Sequence, residues 1–516
     1  MNVISSHSKI AAFKRDFVII AAMMAMGLTT PAVAATFQFR QPVLGLVASP
    51  TAPAQQAVAE ILVALTGGPM LPSAEVNLPY SYDLKQLLSV TGDLAYSSSN
   101  VQWSVLAGSL PAGLSLGADG VIAGQPTTKD LTGSNFQVKA SYKGKDGQQA
   151  YTIVVNGAVL HVTQIAAGGF HTCALTTAGG VKCWGYNGMG QLGDNSKVNR
   201  LTPVSVSSLS SGVLGVAAGT YHTCAVITGG GVKCWGAGGS GELGPASSAS
   251  TVPVSVTGLS SGVASLALGN GHSCALLSSG GVRCWGANNY GQLGNNSTTA
   301  SATPVTPTGL TSGVSTLTSG NGHMCAVTNQ GAPFCWGWNN AGQLGTGAKA
   351  NSTVPVAVNT LSSGVAIVYG GYNHSCALMV GGGVKCWGAN GYGQLGTNNT
   401  TESLLPTNVV GLSGGVSSMA LGRVNGYFSC AAKTDGSAVC WGQNNASQLG
   451  TGITANSLLV PTQVAGLTSG VLGITAGSSH ACVLLTNGTK CWGASAEGEV
   501  GDGSTTTRAT PTDVAP

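Results

Sequence analysis

His171-Thr-Cys-Ala-Leu175, then five residues on Val181-Lys-Cys-Trp-Gly185, then Gly190-Gln-Leu-Gly193: this stretch decides the fold. Two short apolar runs flank a Gly-containing turn, which is the signal of a β-hairpin. The stretch also recurs. Cys-Trp-Gly begins at Cys183, Cys234, Cys284, Cys335, Cys386, Cys440 and Cys491, with successive starts 51, 50, 51, 51, 54 and 51 residues apart. Each unit adds a Val-rich strand before the hairpin, such as Gly215-Val-Ala-Ala-Gly219, and a Pro-Val strand after it. Four short strands per period of about 50 residues mark a propeller blade rather than a helical solenoid. Seven such units close a ring. The first strand falls near Val162 and the last near Thr510 to Ala515, so every blade is complete. The expectation is an all-β chain with a seven-bladed β-propeller over residues 158–516.

All 14 cysteines lie in these units, two per unit. They pair by position as Cys173/Cys183, Cys224/Cys234, Cys274/Cys284, Cys325/Cys335, Cys376/Cys386, Cys430/Cys440 and Cys482/Cys491. If Cys173 faces Cys183, Leu175 faces Val181 and the turn centres on Ala178. The last pair is one residue closer, and its turn, Asn487-Gly488, favours a tighter hairpin. In an exported chain the pattern reads as seven disulfides. Each would close a loop of about ten residues, worth roughly 2.5–3 kcal/mol in the chain-entropy model. Seven such terms do not add, because a hairpin already holds its own ends together. Buried thiols, or metal sites that borrow a nearby His, are the alternatives. The close Cys-x2–4-Cys spacing usual for zinc is absent.

Export is read from the N-terminus. Lys9, Lys14 and Arg15 precede an apolar stretch from Phe17 to Leu28, and Pro31-Ala32-Val33-Ala34 offers an Ala-x-Ala cleavage site. Residues 1–34 are therefore expected to be a signal peptide, and the mature chain periplasmic, cell-surface or secreted. The apolar stretch is short for a bilayer span, and no second long one follows. Charged residues make up 7% of the chain and the net charge of +4 is thinly spread. Nucleic-acid binding needs clustered basic charge, so it is not expected.

Residues 35–78, rich in Ala, Pro and Thr, read as a linker with a short helix over 55–65. Residues 79–157 change to short alternating strands, as in Asn100-Val-Gln-Trp-Ser-Val105 and Asn135-Phe-Gln-Val-Lys-Ala-Ser-Tyr142. Between them stand Leu110-Pro-Ala-Gly-Leu-Ser-Leu116 and Asp119-Gly-Val-Ile-Ala-Gly-Gln-Pro-Thr127. These motifs resemble the immunoglobulin-like modules of bacterial surface proteins. The resemblance implies a small β-sandwich that spaces or binds.

The repeats resemble the regulator of chromosome condensation repeat family. The markers are Ala-x-Gly-x-x-His-x-Cys-Ala-Leu, then Val-x-x-Trp-Gly-x-Asn-x-x-Gly-Gln-Leu-Gly, then Pro-x-x-Val, over about 350 residues. The resemblance implies a seven-bladed propeller that presents a face to a protein partner. It also raises guanine-nucleotide exchange, the activity of the family's eukaryotic namesake. That activity depends on a protruding β-wedge, for which the near-uniform repeat length leaves no room.

Adjacent strand residues point to opposite sheet faces. Trp184, Trp235, Trp285, Trp336, Trp387, Trp441 and Trp492 are therefore read as core between blades, away from their neighbouring cysteines. His171, His222, His272, His323, His374 and His480 each precede the first cysteine of a unit, with Phe428 in the sixth. They are read as structural, each bonding, for example, a backbone carbonyl on the next strand. A metal ring would need nitrogens far closer together than blades allow. Acidic residues are scarce in the propeller, and the cluster Glu497, Glu499 and Asp502 is expected to be solvated. Glycoside hydrolysis needs a placed carboxylate pair, and no nucleophile elbow or phosphate loop is present. The chain is read as non-enzymatic, monomeric and without cofactor or metal.

Function is sought where the repeats differ. The loops before the His carry Phe170, Tyr221, Tyr372, and the longer insertion Arg423-Val-Asn-Gly-Tyr427. The loops after Cys-Trp-Gly carry Tyr186, Tyr290, Trp338 and Tyr392. Aromatic and Arg side chains on loops fit protein-binding hot spots. Local loop packing and stacking on an envelope glycan are the other readings of the same residues.

Overall fold

The computed structural model describes residues 59–245 and 248–516. The expected signal peptide lies outside the described residues, as does most of the expected linker. No helix among the described residues is long and apolar enough to cross a membrane.

The N-terminal module is a sandwich of short strands. A long hairpin dominates it: Asp130–Tyr142 and Lys145–Asn156, in register from Tyr142 opposite Lys145. Along its first strand Phe136, Val138, Ala140 and Tyr142 are buried, with Gln137, Lys139 and Ser141 between them. That alternation is what one wet and one dry sheet face requires. The hairpin joins Gln102–Gly108 on one side and Ala74–Glu75, in parallel, on the other. The facing sheet holds Tyr80–Asp83, Val121–Gly124 and Leu114–Leu116. The two halves of the Leu-Pro and Gly-x-Pro signature thus pair with each other, Leu114 opposite Gly124.

Two expectations change here. Leu62–Leu65 is a strand paired with Leu88–Thr91, where a helix over 55–65 was expected. Val63 and Leu65 enter the sandwich core. The module therefore starts near residue 62 rather than 79. The continuous apolar run at 62–65 is too short to show a period on its own, and the core behind it decides the conformation.

The rest of the chain forms seven four-stranded sheets, each in sequence order. In the first blade the strands are Val162–Ala167, His171–Thr176, Val181–Gly185 and Arg200–Ser205. The innermost strands of the other six are Val213–Ala218, Val263–Leu268, Val314–Ser319, Val365–Gly370, Val416–Leu421 and Val471–Ala476. No blade borrows a strand from the far end of the chain. The seventh ends with its own outer strand, Arg508–Asp513.

Each cysteine pair sits directly across its hairpin, with Cα atoms 4.0–4.1 Å apart and the sulfurs at bonding distance. Leu175 does lie opposite Val181. The shorter turn at Asn487-Gly488 keeps Cys482 opposite Cys491. All seven framework tryptophans are fully buried. Each packs on the disulfide of the preceding blade. Trp235 lies with Cys173 and Cys183, and Trp184 closes the ring on Cys482 and Cys491.

Candidate functional site

The blade framework fixes the loops at one face of the ring. The Gln carbonyl of Gly-Gln-Leu-Gly in one blade accepts the indole N–H of the next: Trp235 Nε1 to Gln191 O at 2.8 Å, Trp387 to Gln343 at 2.9 Å. The same carbonyl accepts a hydroxyl, Thr223 Oγ1 to Gln191 O at 2.9 Å. That hydroxyl oxygen meets His171 Nε2 of the earlier blade at 2.8 Å. The hydroxyl proton is already spent on the carbonyl. The imidazole must therefore donate from Nε2, leaving Nδ1 bare. The pattern repeats at His222–Ser273, His323–Ser375, His374–Ser429 and His480–Thr172. Burial pushes these imidazoles down to about 3 or 4, so they are neutral at ordinary pH.

The histidines are structural, but their partner is a hydroxyl on the next blade and not the backbone carbonyl given as an example. The exceptions are informative. Phe428 replaces His in the sixth blade, and the matching position of the seventh is Ala481, with no hydroxyl to satisfy. Met324 replaces the hydroxyl in the fourth blade, and His272 turns to Ser319 Oγ at 3.2 Å.

Glu242 and Glu499 occupy the Gln position of their blades and are buried. This corrects the expectation of a solvated cluster at 497–502. Burial raises Glu242 and carries Glu499 up to about 7. Asp502 is also enclosed, paired with Arg508. Sequence position relative to Cys-Trp-Gly was the available signal, since both Glu residues stand where Gln stands elsewhere.

Just above the histidines, seven main-chain hydrogen bonds run round the mouth of the ring. Gly169 N donates to Gly219 O, Thr220 to Gly269, Asn270 to Asn321, Asn321 to Gly371, Tyr372 to Gly422 and Arg423 to Gly477. Ser478 N returns to Gly169 O and closes the circle. The loop side chains project from this circle.

Eight of the nine candidate binding residues come together in two aromatic groups. Tyr290 stacks on Trp338 with centroids 5.2 Å apart, and Trp338 meets Tyr372 edge-on at 6.1 Å. Tyr372 meets Tyr427 at 5.2 Å, and Tyr427 stacks on Tyr392 at 5.2 Å. Five rings thus form one arc over the third to sixth blades. Phe170, Tyr221 and Tyr186 form a second group over the first two, at 5.5 and 6.1 Å. The rings support each other while keeping faces in water: Tyr290 and Tyr392 are each 41% exposed. Burial, then the neighbouring Tyr372 and Tyr392, raise the Tyr427 phenol. The seventh blade contributes only Ser478 and Ser479, so the face is lopsided.

Arg423 goes elsewhere. Its side chain turns inward, and Nη1 donates to Leu268 O at 2.8 Å. It spans from the sixth blade to the third, across the central channel, and does not join the aromatic surface.

The fold has counterparts among known proteins. Residues 132–467 match the family model described as RCC1-like domain, and residues 62–156 match "Putative Ig domain". The chain is 29% identical over 434 residues to the RCC1 domain-containing protein RUG3, mitochondrial, of Arabidopsis thaliana, covering 81% of this chain and 84% of that one. It is 30% identical over 252 residues to the ultraviolet-B receptor UVR8 of the same plant, covering 48% and 46%. Yeast RCC1 (Prp20), solved bound to Kap60, superposes with a TM-score of 0.55 at 27% identity, over 61% of this chain and 78% of that one. With its family model matched over more than half its length and seven blades built to one plan, the chain belongs to the RCC1-like domain family.

Proposed function

We propose that this chain is an exported, non-enzymatic binding scaffold that takes a protein partner on its aromatic loop face. The five-ring arc from Tyr290 to Tyr392 carries the reading. Large, preordered aromatic side chains supply contact area at little entropic cost, and they dominate binding hot spots. The arc is built from residues outside the repeat framework, so the propeller does not need them for its own closure. Seven disulfides in one chain accord with an oxidising compartment. Relatives of this family also bind proteins, as the yeast RCC1–Kap60 complex does. Every blade has four strands among the described residues, with no added hairpin to serve as an exchange wedge.

The test is affinity capture from the envelope fraction of the producing cell. The intact chain should recover one protein species. A Tyr290→Ala, Trp338→Ala, Tyr392→Ala variant should lose it by tenfold or more while its thermal unfolding stays unchanged. Capture that survives the triple substitution would remove the arc from the interface. Retention on a glycan array, lost in the same variant, would replace the protein partner with a sugar.

A further inference from the structure

The seven innermost strands enclose a cavity of about 230 Å³ at the centre of the ring. Arg423 lines it, and its guanidinium reaches across to the third blade. One N–H is given to the Leu268 carbonyl. A guanidinium carries five donors in a planar fork, so most of that fork remains available to the cavity. Among the described residues, no carboxylate lines the channel, and no acidic group acts on Arg423. Burial lowers Arg423 only to about 10, so it keeps its charge at neutral pH. Its positive field reaches His171, His222 and His272, which are neutral and offer no counter-charge.

The wall around this cation is neutral and mixes polar main-chain and hydroxyl groups with apolar carbon, Ala217 and Ile474 among its members, while Leu317 and Met419 pack into the cores between blades. Its hydroxyls are engaged: Thr318 donates to Val368 O, Ser319 to Gly320 O, and Thr475 accepts the Ala167 N–H. Arg423 is part-buried and the N–H groups it does not give to Leu268 are open to the channel, and a bidentate carboxylate is the geometry that best matches such a fork. We propose that the central channel is a binding site for a small aliphatic carboxylate, its head on the Arg423 fork and its short body along the neutral channel wall. The cavity is smaller than most drug-sized pockets, which limits the body to a few carbons. The site is separate from the aromatic arc and stands whether or not the arc binds a protein.

Calorimetric titration with sodium butyrate tests it, alongside thermal unfolding in the same solutions. Butyrate should bind one per chain and raise the Tm, whereas n-butanol, which has the body without the charge, should do neither. Inorganic phosphate should bind at least tenfold more weakly. Arg423→Gln should weaken butyrate at least tenfold, and Arg423→Lys, which keeps the charge but loses the fork, should fall between. Absence of butyrate binding to the intact chain overturns the proposal, with no variant needed. So does unchanged affinity in a folded Arg423→Gln chain. Equal binding of phosphate or chloride would reduce the site to a bare counter-ion position and overturn the carboxylate assignment.

Discussion

At the residue scale, the His–hydroxyl contacts between blades are the most exposed to single substitutions. His222 Nε2 donates to Ser273 Oγ at 2.9 Å, and both are buried. Ser273→Ala would leave a buried imidazole N–H without an acceptor, a loss of about 1–3 kcal/mol. The sixth and seventh blades show the natural remedy, Phe428 against Ala481. Adding His222→Phe to Ser273→Ala should therefore recover most of the loss. A double-mutant cycle by urea denaturation measures the coupling; additive single losses would show that the pair is not a unit. Glu499 gives a second case. Its folded carboxyl titrates near 7, above its ordinary 4.5. Its share of stability is thus full below about 4.5 and is lost as pH rises through 7. Glu499→Gln, the residue used by most blades, should raise the Tm at pH 8 and leave it nearly unchanged at pH 5.

At the scale of the element, six of the seven blades depend on a glycine beneath an imidazole. A Cβ on Gly320 would lie 2.1 Å from His323 Cε1 and 2.6 Å from Gly371 O. Neither can retreat, since the ring is packed and the carbonyl belongs to the mouth circle. Gly320→Ala should lower the Tm by many degrees or abolish folding. Gly239→Ala, where a Cβ meets nothing within 4 Å, should be silent in the same assay. The hairpins themselves were legible in the residues. A two-residue period, a turn at fixed distance and paired cysteines leave one register, and the blades adopt it. Leu62–Leu65 was not legible, because four residues carry no period and the sandwich core decides their conformation. The loop aromatics could be chosen by their departure from the repeat, and eight of the nine meet. The direction of Arg423 could not be read, because the bond that holds it inward, Nη1 to the Leu268 carbonyl, joins residues 155 positions apart in two different blades. The burial of Glu499 was hidden for a related reason: its loop composition reads as solvent, while its framework position places it in the core.

Across the whole molecule, stability should follow the six buried histidines. Each is held near 3 or 4 in the folded chain against an ordinary 6.5. Between those values the unfolded chain binds more protons, so stability is full above about 6.5 and is lost as pH falls toward 3 or 4. The Tm should drop steadily from pH 7 to pH 4, with a slope that flattens if histidines are replaced in coupled His-to-Phe and hydroxyl-to-Ala pairs. A Tm independent of pH across that range would contradict the neutral, Nε2-protonated assignment. The ring closes without a shared strand. Its first and last blades are held by the same contacts as any other pair, Trp184 to the Glu499 carbonyl and Thr172 to His480.

The circle of hydrogen bonds round the mouth is made entirely by peptide groups. Side chains at Phe170, Tyr221, Tyr372 and Tyr427 can therefore be exchanged without touching the bonds that hold their loops. A library randomised at those positions and at Tyr186, Tyr290, Trp338 and Tyr392 would sample many surfaces on one unchanged frame. Cross-linked hairpins below would keep the losers folded as well as the winners. Selection against an arbitrary target would then report recognition alone, which makes this mouth a natural display scaffold.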